Sequence, residues 1–368
     1  MKIRKKITAP SHSQQPSRAE QHGVVRRRPA LQPDNSLHVL IYSRGNVIEN
    51  LIRCQSIIRR SAKLGAKVGG ERHYMVFLPE ASDFIAPASQ SPSLAQSLKE
   101  SQFVHAIQSS ALENDCWVSV GVHEKSTEDP NRCHNTSLVI SNDGVIHQIY
   151  RKLHLFDMVS LPHCFITDLG NNTSANESRY IIPGKAIEKP LPTPIGHVGQ
   201  LICYDLRSFS RNTRVSRFPE VAIIHRHRGA NILSYPSAFT MRTGGSHWET
   251  LLRARAIETQ VRELPQIKKN PICYVIAAAQ VGTHMEKPIR QSWGHAMIVD
   301  PWGTVIAQVP DVVPSMPPPS ADQDHEWSTN FALADIDLKS LELLRRSMPI
   351  LDQRRNDVYP RLDYTGHS

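Results

Sequence analysis

Short apolar runs rich in β-branched residues recur along this 368-residue chain and set what it can fold into. Residues 75–78, 117–122, 137–140, 145–150, 198–203, 231–235, 274–279 and 296–299 each have the length and composition of a strand. Asn142-Asp143-Gly144 lies between two of these runs with the chemistry of a hairpin turn. Asp300-Pro-Trp-Gly303 plays the same part before residues 304–309. Val47, Ile48, Leu51, Ile52 and Ile58 recur instead at helical spacing, as do Leu94, Leu98, Val104 and Ile107. This mixing predicts an α/β protein whose sheets carry helices on their outer faces.

Composition narrows the function classes. Hydrophobic residues make up 40% and charged residues 21%, enough apolar material for a sizeable globular core. No stretch approaches the roughly 20 apolar residues that cross a bilayer, and no apolar segment near the start reads as a secretory signal. The six cysteines are scattered without CxxC spacing, which favours reduced thiols over a disulfide framework or a zinc site. The sequons at Asn135, Asn172 and Asn176 then read as chance matches. Most of the formal charge of +9 comes from Lys2, Arg4, Lys5, Lys6, Arg18, Arg26, Arg27 and Arg28, opposed over residues 1–33 by Glu20 alone. Without interleaved aromatics this reads as a solvated, disordered tail over 1–36 rather than a nucleic-acid surface. Its Arg and Ser bias also fits a mitochondrial transit peptide, although an amphipathic stripe is missing, so cytoplasmic and mitochondrial locations both stay open.

Three of the runs lead into a reactive side chain: Val76-Phe-Leu-Pro-Glu80, Val145-Ile-His-Gln-Ile-Tyr-Arg-Lys152 and Gln200-Leu-Ile-Cys203. A group at the edge of a packed strand is rigid yet opens toward a cleft. Carboxylate, ammonium and thiol make a coherent set: the first takes the thiol proton, the thiolate attacks a carbonyl, and the ammonium stabilises the oxyanion. Singly, each has a plain reading as a core cysteine, a helix cap or a solvated strand end. Other candidates are weaker. His225-Arg-His-Arg228 reads as a solvated helix end, Cys133-His134 as an incidental pair in a loop, and His247 with Glu249 as helix residues serving packing.

The motifs around the three residues resemble the nitrilase superfamily of carbon–nitrogen hydrolases. Phe77-Leu-Pro-Glu-Ala-Ser82 resembles its glutamate motif, Tyr150-Arg-Lys-Leu-His-Leu-Phe-Asp157 its lysine motif and Leu201-Ile-Cys-Tyr-Asp-Leu-Arg207 its nucleophile motif. The likeness runs through nearly all of the chain after residue 37. It implies a four-layer αββα sandwich over 37–345, followed by a C-terminal extension over 346–368, and a homodimer or higher homo-oligomer formed through the outer helices. It also implies amide hydrolysis through a thioester, complete without metal or cofactor. Glu80 would be the general base and acid, Cys203 the nucleophile, and Lys152 with the Tyr204 backbone N–H the oxyanion hole. Glu177 would be the second glutamate that orients the lysine.

Later segments narrow the branch. Ser234-Tyr-Pro-Ser-Ala-Phe239, Cys273-Tyr-Val-Ile-Ala-Ala-Ala-Gln280, Gly282-Thr-His-Met-Glu-Lys287 and Gly294-His-Ala-Met-Ile-Val-Asp-Pro-Trp-Gly303 resemble the deaminated-glutathione amidases, as does the stretch from Gly245 to Gln260. That resemblance implies a small-molecule amide substrate, cleaved to α-ketoglutarate and cysteinylglycine in metabolite repair. The sister ω-amidase branch, acting on α-ketoglutaramate, is the alternative.

The chain departs from the family pattern at about 68–75, 159–167, 208–217 and 261–272, where segments interrupt otherwise continuous motifs. Three of them open with Val68-Gly69, Val159-Ser160 and Val261-Arg262, dipeptides that splice-donor sequences can encode. Translated introns and genuine surface loops both fit. The segment 208–217 begins five residues after Cys203, so a catalytically impaired, ligand-binding protein is a further alternative.

Overall fold

The computed structural model describes residues 35–41, 43, 45–65, 74–157, 176–206, 219–259, 273–286, 289–309, 331–338, 355, 357 and 358. Its first strands are β1 (Asn35–Ile41), β2 (Tyr74–Phe77), β3 (Trp117–Lys125), β4 (Cys133–Ile140), β5 (Ile146–Arg151), β6 (Leu191–Thr193) and β7 (Gly196–Gln200). Then follow β8 (Ile232–Ser234), β9 (Tyr274–Ala277), β10 (Ala279–Glu286), β11 (Ile289–Trp293), β12 (Met297–Val299), β13 (Val305–Gln308) and β14 (Phe331–Asp335). The helices are α1 (Val47–Gly65), α2 (Ser91–Leu94), α3 (Gln102–Glu113), α4 (Glu220–His227) and α5 (Met241–Glu258).

Two sheets result. One runs β11-β10-β1-β2-β3-β4-β5, with β14 also paired to β1; the other runs β13-β12-β9-β8-β7-β6. Strand alternation explains why the central apolar runs are continuous, because β2, β8, β9 and β12 bury both faces. In β2, Val76 packs with Cys54, Ile57 and Ile58 of α1 and Val104 and Ile107 of α3. Its neighbours Met75 and Phe77 point the other way and meet Val198, Ile232, Tyr274 and Ile276 of the second sheet. In β8 and β9, Leu233 and Val275 turn outward instead, onto Val221 and Ala222 of α4 and Trp248, Leu251 and Leu252 of α5. Three apolar interfaces therefore separate four layers, helix–sheet–sheet–helix, which is the αββα sandwich expected.

Both sequence turns form. Gly144 adopts φ 79° and Gly303 φ 82°, left-handed conformations that favour glycine. Several expectations need correction. Strand β1 begins at Asn35, so the tail ends before residue 36. Leu94 and Leu98 do not join Val104 and Ile107 in one helix, because Ser101 caps α3 with its side chain on Val104 N. Cys133 and His134 are not in a loop: they open β4, fully buried, with His134 Nδ1 3.2 Å from Ile182 O. His225 and Arg226 are buried on α4 rather than solvated. Burial pushes His225 down to about 4, so it is a neutral core imidazole at neutral pH. Tyr74 and Met75 pair with β1 and β3, so they are core strand rather than part of an interruption. The segments 159–167, 208–217 and 261–272, the tail to residue 34 and nearly all of 346–368 lie outside the described residues.

The chain after β2 is pressed against β3. A Cβ added to Gly121 would lie 2.6 Å from Glu80 Cα and 2.7 Å from Pro79 O. Gly121 N also donates to Pro79 O, and Ser82 N to Gly121 O. Gly121→Ala is therefore expected to cost roughly 1–3 kcal/mol by overpacking and to displace Glu80, lowering any activity that depends on its carboxylate. Urea denaturation and kcat/KM measure both effects; a variant with unchanged stability and activity would contradict this packing.

Candidate active site

Glu80 follows β2 after two residues and sits in a turn whose next residue, Ala81, has φ 55°. Two elements hold that turn. Gly121 backs it, and Gln280 of β10 donates from Nε2 to Glu80 O (2.8 Å), Ala81 O (3.2 Å) and Ser43 Oγ (2.8 Å). Glu80 as a whole is only 5% exposed.

Lys152 lies one residue beyond β5, and its ammonium is just as deeply buried. Nζ donates to Glu80 Oε1 at 3.0 Å and to both carboxylate oxygens of Glu177 at 3.0 Å. Glu177 is fixed in turn by the backbone N–H of Phe156, which donates to Oε2 at 2.6 Å. Burial opposes the lysine's charge, but Glu177 and Glu80 outweigh it and hold the ammonium pKa well above its ordinary value. For Glu80, burial raises the pKa, yet Lys152 and hydrogen bonds from Cys203, Asn135 and Lys152 bring the net shift below the usual glutamate range. The resting site thus holds an ammonium between two carboxylates, with the Cys203 thiol donating to Glu80.

Cys203 stands on a sharp turn after β7 with φ 44°, a left-handed conformation strained for a residue with a Cβ. Asp205 pins the turn. Its Oδ2 accepts from Ile202 N (2.9 Å) and Tyr150 Oη (2.7 Å), and its Oδ1 from His154 N (3.0 Å). One buried carboxylate therefore ties the cysteine turn to residues on either side of Lys152. Cys203 N donates to Pro236 O at 3.0 Å. Tyr204 follows on the first turn of a short 3-10 segment, and its ring meets Phe156 edge-on at 5.1 Å. Cys54, Cys116 and Cys133 offer no comparable chemistry: burial raises the thiol pKa of all three, the last two to about 12.

Glu80, Lys152, Cys203 and Glu177 thus converge from the ends of separate strands and loops. Asn135, Asp205 and Gln280 join them without having been singled out. Asn135 Nδ2 donates to Glu80 Oε1 at 2.7 Å and to Glu177 Oε1 at 3.4 Å, bridging the two carboxylates. A signal for it exists in the sequence, since counting outward from the Asn142-Asp143-Gly144 turn pairs Lys152 with residue 134 or 135. The bulge at Val139–Ile140 decides for Asn135, whose carbonyl accepts from Lys152 N at 2.9 Å. Among the described residues no three His, Cys, Asp or Glu side chains gather as a metal site, and no helix is long and apolar enough to cross a membrane.

Asn135 stabilises the charged form of Glu80, so removing it raises the glutamate's pKa. In Asn135→Ala the acid limb of the kcat/KM–pH profile is expected to move to higher pH. An acid limb at the wild-type position would show that the amide does not act on the base.

Known proteins resemble this chain in sequence and fold. The carbon-nitrogen hydrolase family model matches residues 45–346. A probable hydrolase, nit2, of Schizosaccharomyces pombe is 40% identical over 320 residues, covering 86% of this chain and 96% of that protein. The deaminated glutathione amidase of Bos taurus is 37% identical over 325 residues, 87% of this chain and 80% of its own. The crystal structure of the Caenorhabditis elegans NitFhit protein superposes with a TM-score of 0.69 at 35% identity, covering 88% of this chain and 66% of that one. The chain belongs to the carbon–nitrogen hydrolase family of the nitrilase superfamily.

Proposed function

We propose that the chain hydrolyses deaminated glutathione to α-ketoglutarate and cysteinylglycine through a thioester on Cys203. The chemistry rests on one observation above all, the Cys203 turn facing a buried Glu80–Lys152–Glu177 cluster. The substrate rests on the likeness to deaminated glutathione amidases, including the bovine enzyme at 37% identity.

The steps follow from the groups present. Glu80 takes the Cys203 proton as sulfur attacks the amide carbonyl. The oxygen that gains charge is met by the Lys152 ammonium and the Tyr204 N–H, donors fixed before the reaction begins. Glu80 then passes its proton to the leaving nitrogen, the C–N bond breaks, and cysteinylglycine departs. Water enters, loses a proton to Glu80 and attacks the thioester; collapse releases α-ketoglutarate and returns the proton to sulfur. One water is consumed and no other reactant is needed. Glu177 keeps the ammonium aimed through both cycles, because its two oxygens hold Nζ at equal distance.

Equal amounts of α-ketoglutarate and cysteinylglycine are expected from deaminated glutathione, followed by mass spectrometry of both products. Cys203→Ala should abolish turnover, and Glu80→Gln should reduce kcat/KM by roughly a hundredfold to ten-thousandfold. Activity surviving in Cys203→Ala would refute the mechanism. Clearly faster turnover of α-ketoglutaramate would keep the mechanism and assign the chain to free ω-amides instead.

A further inference from the structure

Arg290 takes no part in the chemistry above, yet it sits on a hairpin braced against the turn that carries Glu80. It projects from β11, the outer strand of a hairpin formed with β10. That hairpin is pinned to the glutamate turn: Gln280 clamps the backbone of Glu80 and Ala81, and His284 bridges Ser43 O (2.7 Å) and Ser292 Oγ (2.8 Å). Arg290 is therefore carried on a braced element. Its guanidinium donates from Nη1 to Ala86 O at 3.3 Å and, among the described residues, makes no ion pair with a carboxylate. It is exposed to solvent, and Glu80, Glu177 and Cys203 all act on it electrostatically in the direction that favours its charge.

Charge balance gives this placement a purpose. Two carboxylates and one ammonium leave the catalytic cluster with a surplus negative charge. An amide whose acyl part carries its own carboxylate would be repelled by that cluster unless a second cation met it. The α-ketoglutaryl group is such an acyl part. Arginine suits the task, since its planar guanidinium offers paired donors to a carboxylate and stays charged.

We infer that Arg290 is the specificity-determining residue that binds the carboxylate of an anionic acyl group while Cys203 attacks its amide end. This rests on the proposed α-ketoglutaryl substrate, and it restricts the site to ω-amides of dicarboxylic acids in preference to neutral amides. Deaminated glutathione carries a second carboxylate on its leaving group, whereas α-ketoglutaramate carries only the one on the acyl part.

The test compares wild type with Arg290→Met and Arg290→Lys in two ways. First, Cys203 is alkylated with iodoacetate and with iodoacetamide, and the two rates are read from the Cys203 peptide. Their ratio cancels any change in the thiol itself. It is expected to fall roughly tenfold or more in Arg290→Met and to recover in part in Arg290→Lys. Second, KM is measured for deaminated glutathione and α-ketoglutaramate; both should rise roughly ten- to hundredfold in Arg290→Met. An unchanged ratio, or equal loss with both reagents, would overturn the inference. A KM rise confined to deaminated glutathione would also overturn it, by assigning the guanidinium to the leaving group. Should the wild type hydrolyse neither substrate while the alkylation ratio still falls, the α-ketoglutaryl reading fails and the anion subsite stands.

Discussion

A single buried ammonium organises this molecule. Lys152 is taken almost wholly out of water, at a desolvation cost on the order of several kcal/mol. The fold can retain it only because Glu80 and Glu177 flank it at 3.0 Å and because each carboxylate is itself hydrogen-bonded. Everything that supplies those partners must therefore be in place together: the end of β2, the end of β5, the amide of Asn135 on β4 and the loop carrying Phe156. The cluster is costly as a source of stability. It is valuable as a fixed electrostatic field beside the sulfur of Cys203, already oriented for the charge that develops when an amide carbonyl is attacked.

The two sheets explain how such a cluster can sit inside an apolar protein. Val76 and Leu78 face the helices while Met75 and Phe77 face the opposite sheet, so β2 is locked on both sides and its last residues cannot drift. The Cys203 turn is held differently. Its left-handed backbone is stabilised by Asp205, which collects donors from Ile202, Tyr150 and His154 and so couples the thiol's position to the strand carrying Lys152. Mechanism and fold meet in these few carboxylates rather than in the bulk of the core.

Much of this was legible in the sequence for a physical reason. Strands buried on both faces read as uninterrupted apolar runs, and a Glu, Lys or Cys at the end of such a run stands out. Asn135 did not stand out because it lies within a strand of mixed polar residues, Cys133 to Ser137, that resembles a loop and happens to form a sequon. Those polar groups are buried only because the tertiary structure satisfies them, as Glu124 does for Thr136. The β10–β11 hairpin escaped notice likewise, since Thr283, Arg290 and Gln291 give it no apolar alternation. His225 and Arg226 misled in the opposite direction: charge runs usually mark a solvated face, but here α4 turns them into the core, where Arg226 Nε donates to Thr259 O at 2.9 Å.

The central claim is that the field of Lys152, Glu80 and Glu177 serves one covalent event at one sulfur. Rapid acid quenching during turnover of deaminated glutathione, followed by peptide mass spectrometry, tests it directly. An α-ketoglutaryl group on Cys203, formed and lost at rates that account for kcat, is the expected result. Turnover without any acyl group on Cys203, or with the acyl group on another cysteine, would contradict it.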